Sequence, residues 1–286
     1  MDLRYSEEQE ILKQSARDFL ATECPKTLVR ELERSEEGHS PELWRKMAEL
    51  GWMGLIIPEE YEGIGYTFQD LTVLIEEMGR NILPGPFLAT VTATFPIMDA
   101  GTEEQKKELL PGIARGELIL TTAILEGAGV FDASGIAVKA TQKGDDYVMN
   151  GTKLFVDMAN VATHMICVAR TKEGTAPEKG ITLFIVDAST PGIKWEAMPT
   201  TAQDKLCEVR FENVRVPAKS MLGKLDEGWP ILENMLRKGA IAKCAESIGA
   251  VQTCVDMTVA YAKERVQYDR PVGAFQALQH KMADMW

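Results

Sequence analysis

The sequence predicts a multi-domain α+β protein whose parts follow the order helical, β, helical. The predicted domains are a helical N-terminal domain at 1–116, a central antiparallel β-barrel or β-sandwich domain at 117–226, and the incomplete start of a C-terminal four-helix bundle at 227–286. Three observations support this order: helix start signals with a period of 3.6 in the first part, a period of 2 with turn residues in the second, and a long run without proline in the third.

Helix start signals occur four times in the first 116 residues. They are Ser6 with Gln9, Ser40 with Pro41, Thr67 with Asp70, and Thr102 with Gln105. Capping hydroxyls, and proline at the first helical position, are typical of helix N-termini. Gly51 is expected to end the second of these helices, and Pro111-Gly112 the fourth. The third helix should bury the face formed by Leu71, Leu74, Ile75 and Met78.

Short β-rich runs then follow one another as far as residue 211. They are Leu118–Ile124, Gly135–Thr141, Tyr147–Met149, Lys153–Val156, Met165–Ala169, Ile181–Val186, Ile193–Ala197 and Leu206–Phe211. Turn residues separate most of them, including Gly144-Asp145-Asp146 and Asn150-Gly151. The connections are too short for crossover helices, so the pattern argues against a doubly wound parallel sheet.

The last sixty residues predict a very long helix. No proline occurs between Pro230 and Pro271, and most positions are helix formers, so one helix of about forty residues would extend roughly 60 Å. A second helical segment, Ala274–Trp286, follows Pro271-Val272-Gly273. A helix of this length needs packing partners along all of it. We expect them to come from residues beyond Trp286 or from another subunit.

The composition excludes several classes of protein. The net charge of −12 argues against nucleic-acid binding, and no run approaches the roughly 20 apolar residues of a membrane span. The five cysteines contain no C-x-x-C pair, and the three histidines are far apart, so neither disulfides nor a metal site is expected. The polar, acidic start is unlike a signal peptide, so we expect a cytoplasmic protein.

Two local motifs are ambiguous when taken alone. Gly127-Ala-Gly129 follows a predicted strand, but Asp132 stands where a dinucleotide fingerprint needs its third glycine, so a plain turn is favoured. The segment Arg265–Pro271 is interpreted as a basic, aromatic helix end. Its arginines either meet an anion such as a pyrophosphate or only cap the helix.

Seven segments, in order and across nearly the whole chain, carry a resemblance to a known family. They are Gly54–Tyr61, Gly101–Lys106 with Leu110-Pro111 and Gly116-Glu117, Asn150–Lys153, Ile181–Asp187, Phe211–Pro217, Tyr268–His280 and Ala283–Met285. Together they resemble the acyl-CoA dehydrogenases, which are flavoproteins that oxidise the Cα–Cβ bond of an acyl-CoA thioester. The resemblance implies FAD as cofactor, held between the β-domain and the C-terminal bundle.

The resemblance also implies a set of site residues. Arg265, Gln267, Tyr268 and Gln276 match cofactor-facing positions at the end of the long helix. Phe155 and Val156 match the segment beside the flavin ring, although ordinary strand core is the alternative for both. Leu125 and Phe131 belong to the loop that touches flavin and substrate.

Several positions depart from the family pattern. The flavin-side loop usually reads Thr-Glu-Pro-Gly-Ala-Gly-Ser-Asp, and Leu125 and Phe131 replace its two hydroxyl residues. Asp157 stands where a hydroxyl donor to flavin N5 is expected, and an ionised aspartate cannot donate. On the long helix, Ala240 replaces an arginine near the thioester and Arg237 an aspartate. The usual positions of the catalytic glutamate lie beyond Trp286 or at Gly239, so the catalytic residue stays unknown.

Three functions are compatible with these departures. The first is an active FAD-dependent acyl-CoA dehydrogenase that passes electrons to an electron-transfer flavoprotein. The second is a degenerate, non-catalytic subunit of a hetero-oligomeric dehydrogenase. The third is a non-redox scaffold or acyl-thioester binding protein. A homo- or hetero-oligomer is expected in the first two cases.

Overall fold

The computed structural model describes residues 4–174 and 176–286. The first three residues of the polar N-terminal stretch, and Thr175, lie outside the described residues. The helices are α1 (Glu7–Glu23), α2 (Lys26–Arg34), α3 (Pro41–Glu49), α4 (Phe68–Asn81), α5 (Phe87–Ala100), α6 (Glu103–Ala114), α7 (Trp229–Glu264) and α8 (Gln276–Met285). The strands are β1 (Leu120–Ala123), β2 (Lys139–Lys143), β3 (Asp146–Asp157), β4 (His164–Arg170), β5 (Ile181–Asp187), β6 (Ile193–Ala197), β7 (Leu206–Pro217), β8 (Met221–Leu222), β9 (Val266–Gln267) and β10 (Arg270–Pro271).

The chain forms two compact units, each built from segments that are distant in sequence. Among the described residues, the helical unit contains residues 4–29, Phe68–Leu83 and Ile241–Trp286. The sheet unit contains Arg30–Thr67 and Pro84–Ala240. The division of the sequence into domains at 116/117 and 226/227 stays a prediction.

The helical unit begins with the predicted capping box. The amide of Gln9 donates to Ser6 Oγ at 3.2 Å, and the Ser6 amide donates to Gln9 Oε1 at 3.1 Å. Helix α1 then buries Ala16 and Leu20 completely. Two amides that α1 itself cannot satisfy therefore gain partners, which fixes where the helix starts.

We expect Ser6→Ala to lower the free energy of unfolding by about 1 kcal/mol, because the Gln9 amide loses its acceptor. Chemical denaturation followed by circular dichroism measures the change. Ser247→Ala on α7 is the matched control, because its hydroxyl only bonds back to the Lys243 carbonyl. That variant should stay within about 0.5 kcal/mol of the parent. Equal losses in both variants would contradict the assignment of the cap.

Helices α4 and α7 approach closely within the helical unit, at two glycines. A Cβ built on Gly79 would lie 1.9 Å from the Glu246 carbonyl oxygen. A Cβ built on Gly249 would lie 1.8 Å from the Glu76 carbonyl oxygen. The crossing is thus possible only because neither position carries a side chain.

The sheet unit is built around one mixed sheet with the strand order β6-β7-β3-β2-β4-β5-β8, and β1 pairs with β4. Most pairs are antiparallel, but β4 runs parallel to both β1 and β2. The predicted α+β class is confirmed. Of the predicted antiparallel barrel or sandwich, the barrel does not form, because the sheet does not close on itself, and the two pairings of β4 with β1 and β2 are parallel. The core on this sheet includes Tyr147 and Phe184, whose rings lie 5.1 Å apart.

Asn150-Gly151 is not the predicted turn. It lies inside β3, where the pairing with β7 shifts register between Met149 and Gly151. Gly151 has φ 140°, and a Cβ there would lie 2.7 Å from the Val138 side chain. The glycine therefore forms a bulge in one long strand, which joins the two short runs predicted at 147–149 and 153–156.

Two helix ends also differ from the prediction. Helix α6 continues through Pro111 to Ala114. Helix α7 stops at Glu264, and the chain then turns into a hairpin in which β10 pairs with β9. The turn residues Tyr268 and Asp269 have φ 53° and 64°, as a two-residue hairpin of the primed type requires. Among the described residues, no helix is both long and apolar enough to cross a membrane.

Candidate functional site

A cavity of about 420 Å³ opens in the sheet unit, beside the strand ends of β1 and β3. Its walls come from β1, from the loop at 124–138, from β3 and from the start of α7. The lining residues are Thr122, Ile124, Leu125, Val130, Phe131, Asp132, Ile136, Leu154, Phe155, Asp157, Trp229 and Leu236. The lining is mostly apolar, and the volume falls within the range of about 300–1,000 Å³ that small-molecule and cofactor sites occupy.

The cavity brings together four of the residues predicted from the sequence: Leu125, Phe131, Phe155 and Asp157. Phe131 is 83% exposed, so its ring stands at the mouth and leaves the cavity open. Val156 does not line the cavity. It is 1% exposed and packs in the core of the sheet, which was the alternative interpretation for this residue.

A second irregularity in β3 directs Phe155 towards the cavity. The pairing with β7 shifts register between Lys153 and Val156, and Phe155 has φ 53°. A non-glycine residue in the left-handed region costs free energy and persists only where the surrounding structure holds it. The bulge therefore exposes about half of the Phe155 ring while the next residue, Val156, stays in the core.

A buried ion pair that the sequence analysis missed lies behind the cavity wall. Lys153 Nζ donates to Glu126 Oε1 at 2.6 Å and to the Ile124 carbonyl at 2.9 Å. The lysine side chain is fully buried, and the glutamate is almost so. Burial lowers the pKa of Lys153, and the charge of Glu126 opposes that change. One sequence feature could have pointed to this pair, because both residues lie in segments that resemble the family. Lys153 belongs to the shared motif Asn150–Lys153, and Glu126 belongs to the flavin-side loop.

The polar groups of the lining are a threonine and two aspartates. Asp132 Oδ1 accepts from the Ser134 amide at 2.8 Å and from its hydroxyl at 2.6 Å, which lowers the pKa of Asp132. The backbone carbonyl of Asp157 accepts from the buried hydroxyl of Thr121. The apolar walls suit a flat ring such as that of FAD. A carboxylate at Asp157 can accept a hydrogen bond but cannot donate one to an acceptor nitrogen of such a ring.

The remaining predicted site residues do not line this cavity. Arg237 is exposed and pairs with Glu233 at 3.1 Å on its own helix, and Ala240 is exposed as well. The residues predicted to face the cofactor from the end of the long helix all lie exposed in the helical unit: Arg265, Gln267, Tyr268 and Gln276. Their roles stay predictions.

Comparison with known proteins finds similar sequences and structures along almost the whole chain. Sequence models described as "Acyl-CoA dehydrogenase, N-terminal domain", "middle domain" and "C-terminal domain" match residues 6–117, 121–214 and 226–286. The 3-(aryl)acrylate reductase of Clostridium sporogenes is 33% identical, over 98% of this chain and 75% of its own. The caffeyl-CoA reductase-Etf complex subunit CarC of Acetobacterium woodii is 31% identical, over 98% and 75%. The structure of butyryl-CoA dehydrogenase from Megasphaera elsdenii aligns with a TM-score of 0.91 and 29% identity, over 100% and 76%.

Proposed function

Because the chain belongs to the acyl-CoA dehydrogenase family, we propose that it acts on the Cα–Cβ bond of an acyl-CoA thioester. The family is FAD-dependent, and its members are oxidoreductases. The cavity beside β1 and β3 is the single observation that carries the proposal, because its apolar walls suit both a flat ring and an acyl chain. When bound, FAD supplies the acceptor for a hydride from Cβ.

The residues of this chain would shape the cavity around the ligand and exclude water from it. Phe155 and Leu154 would form one wall against the ring, and Leu125 an adjoining one. Phe131 stands at the mouth, where it can cover the acyl end. The oxidation also releases a proton from Cα, and we assign no base that takes it up among the described residues.

The absorbance spectrum of the purified protein tests the proposal. We expect the visible bands of oxidised FAD, and we expect butyryl-CoA added without oxygen to bleach them. The relatives from Clostridium sporogenes and Acetobacterium woodii are named as reductases, so the reverse reaction can be assayed as well. In that assay an enoyl thioester is added to the chemically reduced protein, and the return of the oxidised flavin bands is measured. A protein that binds no flavin in any preparation, alone or co-purified with a homologous subunit, would refute the proposal.

A degenerate subunit of a hetero-oligomeric dehydrogenase is the second candidate. Its support is the cavity lining, whose only titratable side chains among the described residues are Asp132 and Asp157. Flavin that appears only after co-purification with a homologous catalytic chain would favour this candidate. Flavin bound by the isolated chain would favour the first.

An electron-transfer flavoprotein is the redox partner we propose, since the name of the Acetobacterium woodii relative includes such a complex. We also propose a homo- or hetero-oligomer and a cytoplasmic location. The five cysteines are free thiols, which fits a reducing compartment. Turnover with and without an added electron-transfer flavoprotein checks the first of these assignments.

We expect Asp157→Thr to tighten FAD binding by roughly tenfold, equivalent to about 1.4 kcal/mol. The substitution removes a negative charge beside the proposed ring and supplies a hydroxyl that can donate. Titration of the flavin-free protein with FAD, followed by fluorescence, measures the dissociation constant. Asp145→Thr, in the exposed turn between β2 and β3, is the charge-matched control and should bind like the parent. Weaker binding by Asp157→Thr would remove this residue from the proposed ring site.

A further inference from the structure

The loop at 124–138, which we call the cavity loop, is closed at its base by one carboxylate. Glu126 stands at its start, and Glu126 Oε1 accepts from the amides of Ala137 and Val138 at its end, each at 3.0 Å. Oε2 accepts from Val138 as well, at 3.0 Å. The two ends of the loop are therefore held together by the same side chain. Val130, Phe131 and Asp132 project from the part between them.

Lys153 ties this base to β3, the other wall of the cavity. Its ammonium contacts both Glu126 and the Ile124 carbonyl, and the next amide, Leu154 N–H, donates to the Leu125 carbonyl at 2.8 Å. Leu154 and Leu125 both line the cavity. The ion pair thus lies where two adjoining segments of the cavity wall meet.

Few contacts restrain the chain at residues 127–131, whereas Arg170 on β4 holds the later part of the loop by donating to the Ala133 and Ile136 carbonyls, each at 2.8 Å. Cβ atoms built on Gly127 and Gly129 would meet no atom within 4 Å, and Phe131 is 83% exposed. The position of residues 127–131, the loop tip, then depends on how firmly Glu126 and Arg170 hold the rest of the loop. A buried charge that loses its partner is strongly unfavourable, so replacing either Glu126 or Lys153 alone would disrupt the base.

We infer that the Glu126–Lys153 pair positions the cavity loop against β3 and so sets the width of the proposed flavin and acyl site. The identity of the ligand in this inference, FAD with an acyl thioester, rests on the proposed function. Neither residue touches the cavity, and both act through Leu125, Leu154 and the loop tip. They are positioning residues, preorganising a site built by their neighbours.

Two variants test the inference. Lys153→Met removes the ammonium group and keeps the apolar stem. Glu126→Gln is isosteric and provides a second test if Lys153→Met does not fold. We expect the dissociation constant for FAD to rise at least tenfold in each. We also expect hydrogen exchange of the Ala137 and Val138 amides to accelerate while exchange in β5 is unchanged. Val216→Ala, a truncation in the sheet core, is the control for global destabilisation.

The outcomes separate the two claims. If the parent protein binds FAD and both variants bind it as Val216→Ala does, the positioning role is overturned. If the parent binds no FAD in any assembly, the proposed function fails. The exchange of Ala137 and Val138 then still decides whether the pair holds the loop. Uniformly faster exchange over the sheet unit would show a structural role only, and would also overturn the inference.

Discussion

Gly249→Ala is expected to lower the free energy of unfolding of the helical unit by about 2 kcal/mol. The added Cβ would lie 1.8 Å from the Glu76 carbonyl oxygen and 2.8 Å from the Arg80 amide nitrogen. Both are backbone atoms of α4, so no rotamer change can relieve the overlap and the helices must separate. Overpacking of this kind costs typically about 1–3 kcal/mol and sometimes more. The roughly 1 kcal/mol that alanine gains in helix propensity offsets only part of that cost.

Separation of the two helices would also break polar contacts that bridge them. Thr253 Oγ donates to the Arg80 carbonyl at 3.0 Å, and Arg80 pairs with Asp256 at 2.7 Å. Loss of helical circular dichroism in urea, measured for parent and variant, gives the difference. The control is Gly239→Ala on the same helix, where the new Cβ would meet only the Thr92 side chain, at 3.2 Å. If the two variants unfold alike, close backbone packing is not what Gly249 provides.

The features predicted correctly from the sequence are those that depend on neighbouring residues. The capping boxes at Ser6 and Thr102 form as predicted, because the bonds involved span only three residues. Most β-rich runs became strands for a similar reason, since a short run of β-branched and apolar residues between turn residues is also a local signal. The face of α4 that carries Leu71 and Leu74 is buried as expected.

The features that were missed depend on partners distant in sequence. Asn150-Gly151 has the composition of a hairpin turn, but β7 continues to pair with β3 on both sides of it. Lys153 is a residue type that is almost never fully buried without a partner, and its partner lies 27 positions earlier. Periodicity contains no information about such a pair. The four predicted residues that line the cavity, including Asp157, came from the family motifs and not from spacing.

Arg17→Met is expected to destabilise the helical unit by about 3–4 kcal/mol. Glu77 on α4 is 0% exposed, and Arg17 on α1 binds both of its carboxylate oxygens, at 2.7 Å and 2.9 Å. Arg80 Nε is 3.7 Å away and offers only a weaker contact. Removing one partner of a fully buried pair typically costs about 3–5 kcal/mol, because the other charge stays buried without compensation. The lower part of this range applies here, because Arg17 is 41% exposed and Arg80 stays near Glu77. Methionine keeps the apolar stem, so lost packing contributes little.

Two further variants show whether the unpaired, buried carboxylate of Glu77 causes the destabilisation in Arg17→Met. Arg45→Met breaks an exposed pair with Glu49 on α3 and should change the free energy of unfolding by less than about 0.5 kcal/mol. The double variant Arg17→Met/Glu77→Leu replaces both charges with apolar groups, and such replacements are often close to neutral. We therefore expect the double variant to be more stable than Arg17→Met alone. A double variant that loses as much as the sum of the two single changes would mean that the two side chains are not coupled energetically. The uncompensated burial of Glu77 would then not be the main cause of the loss in Arg17→Met.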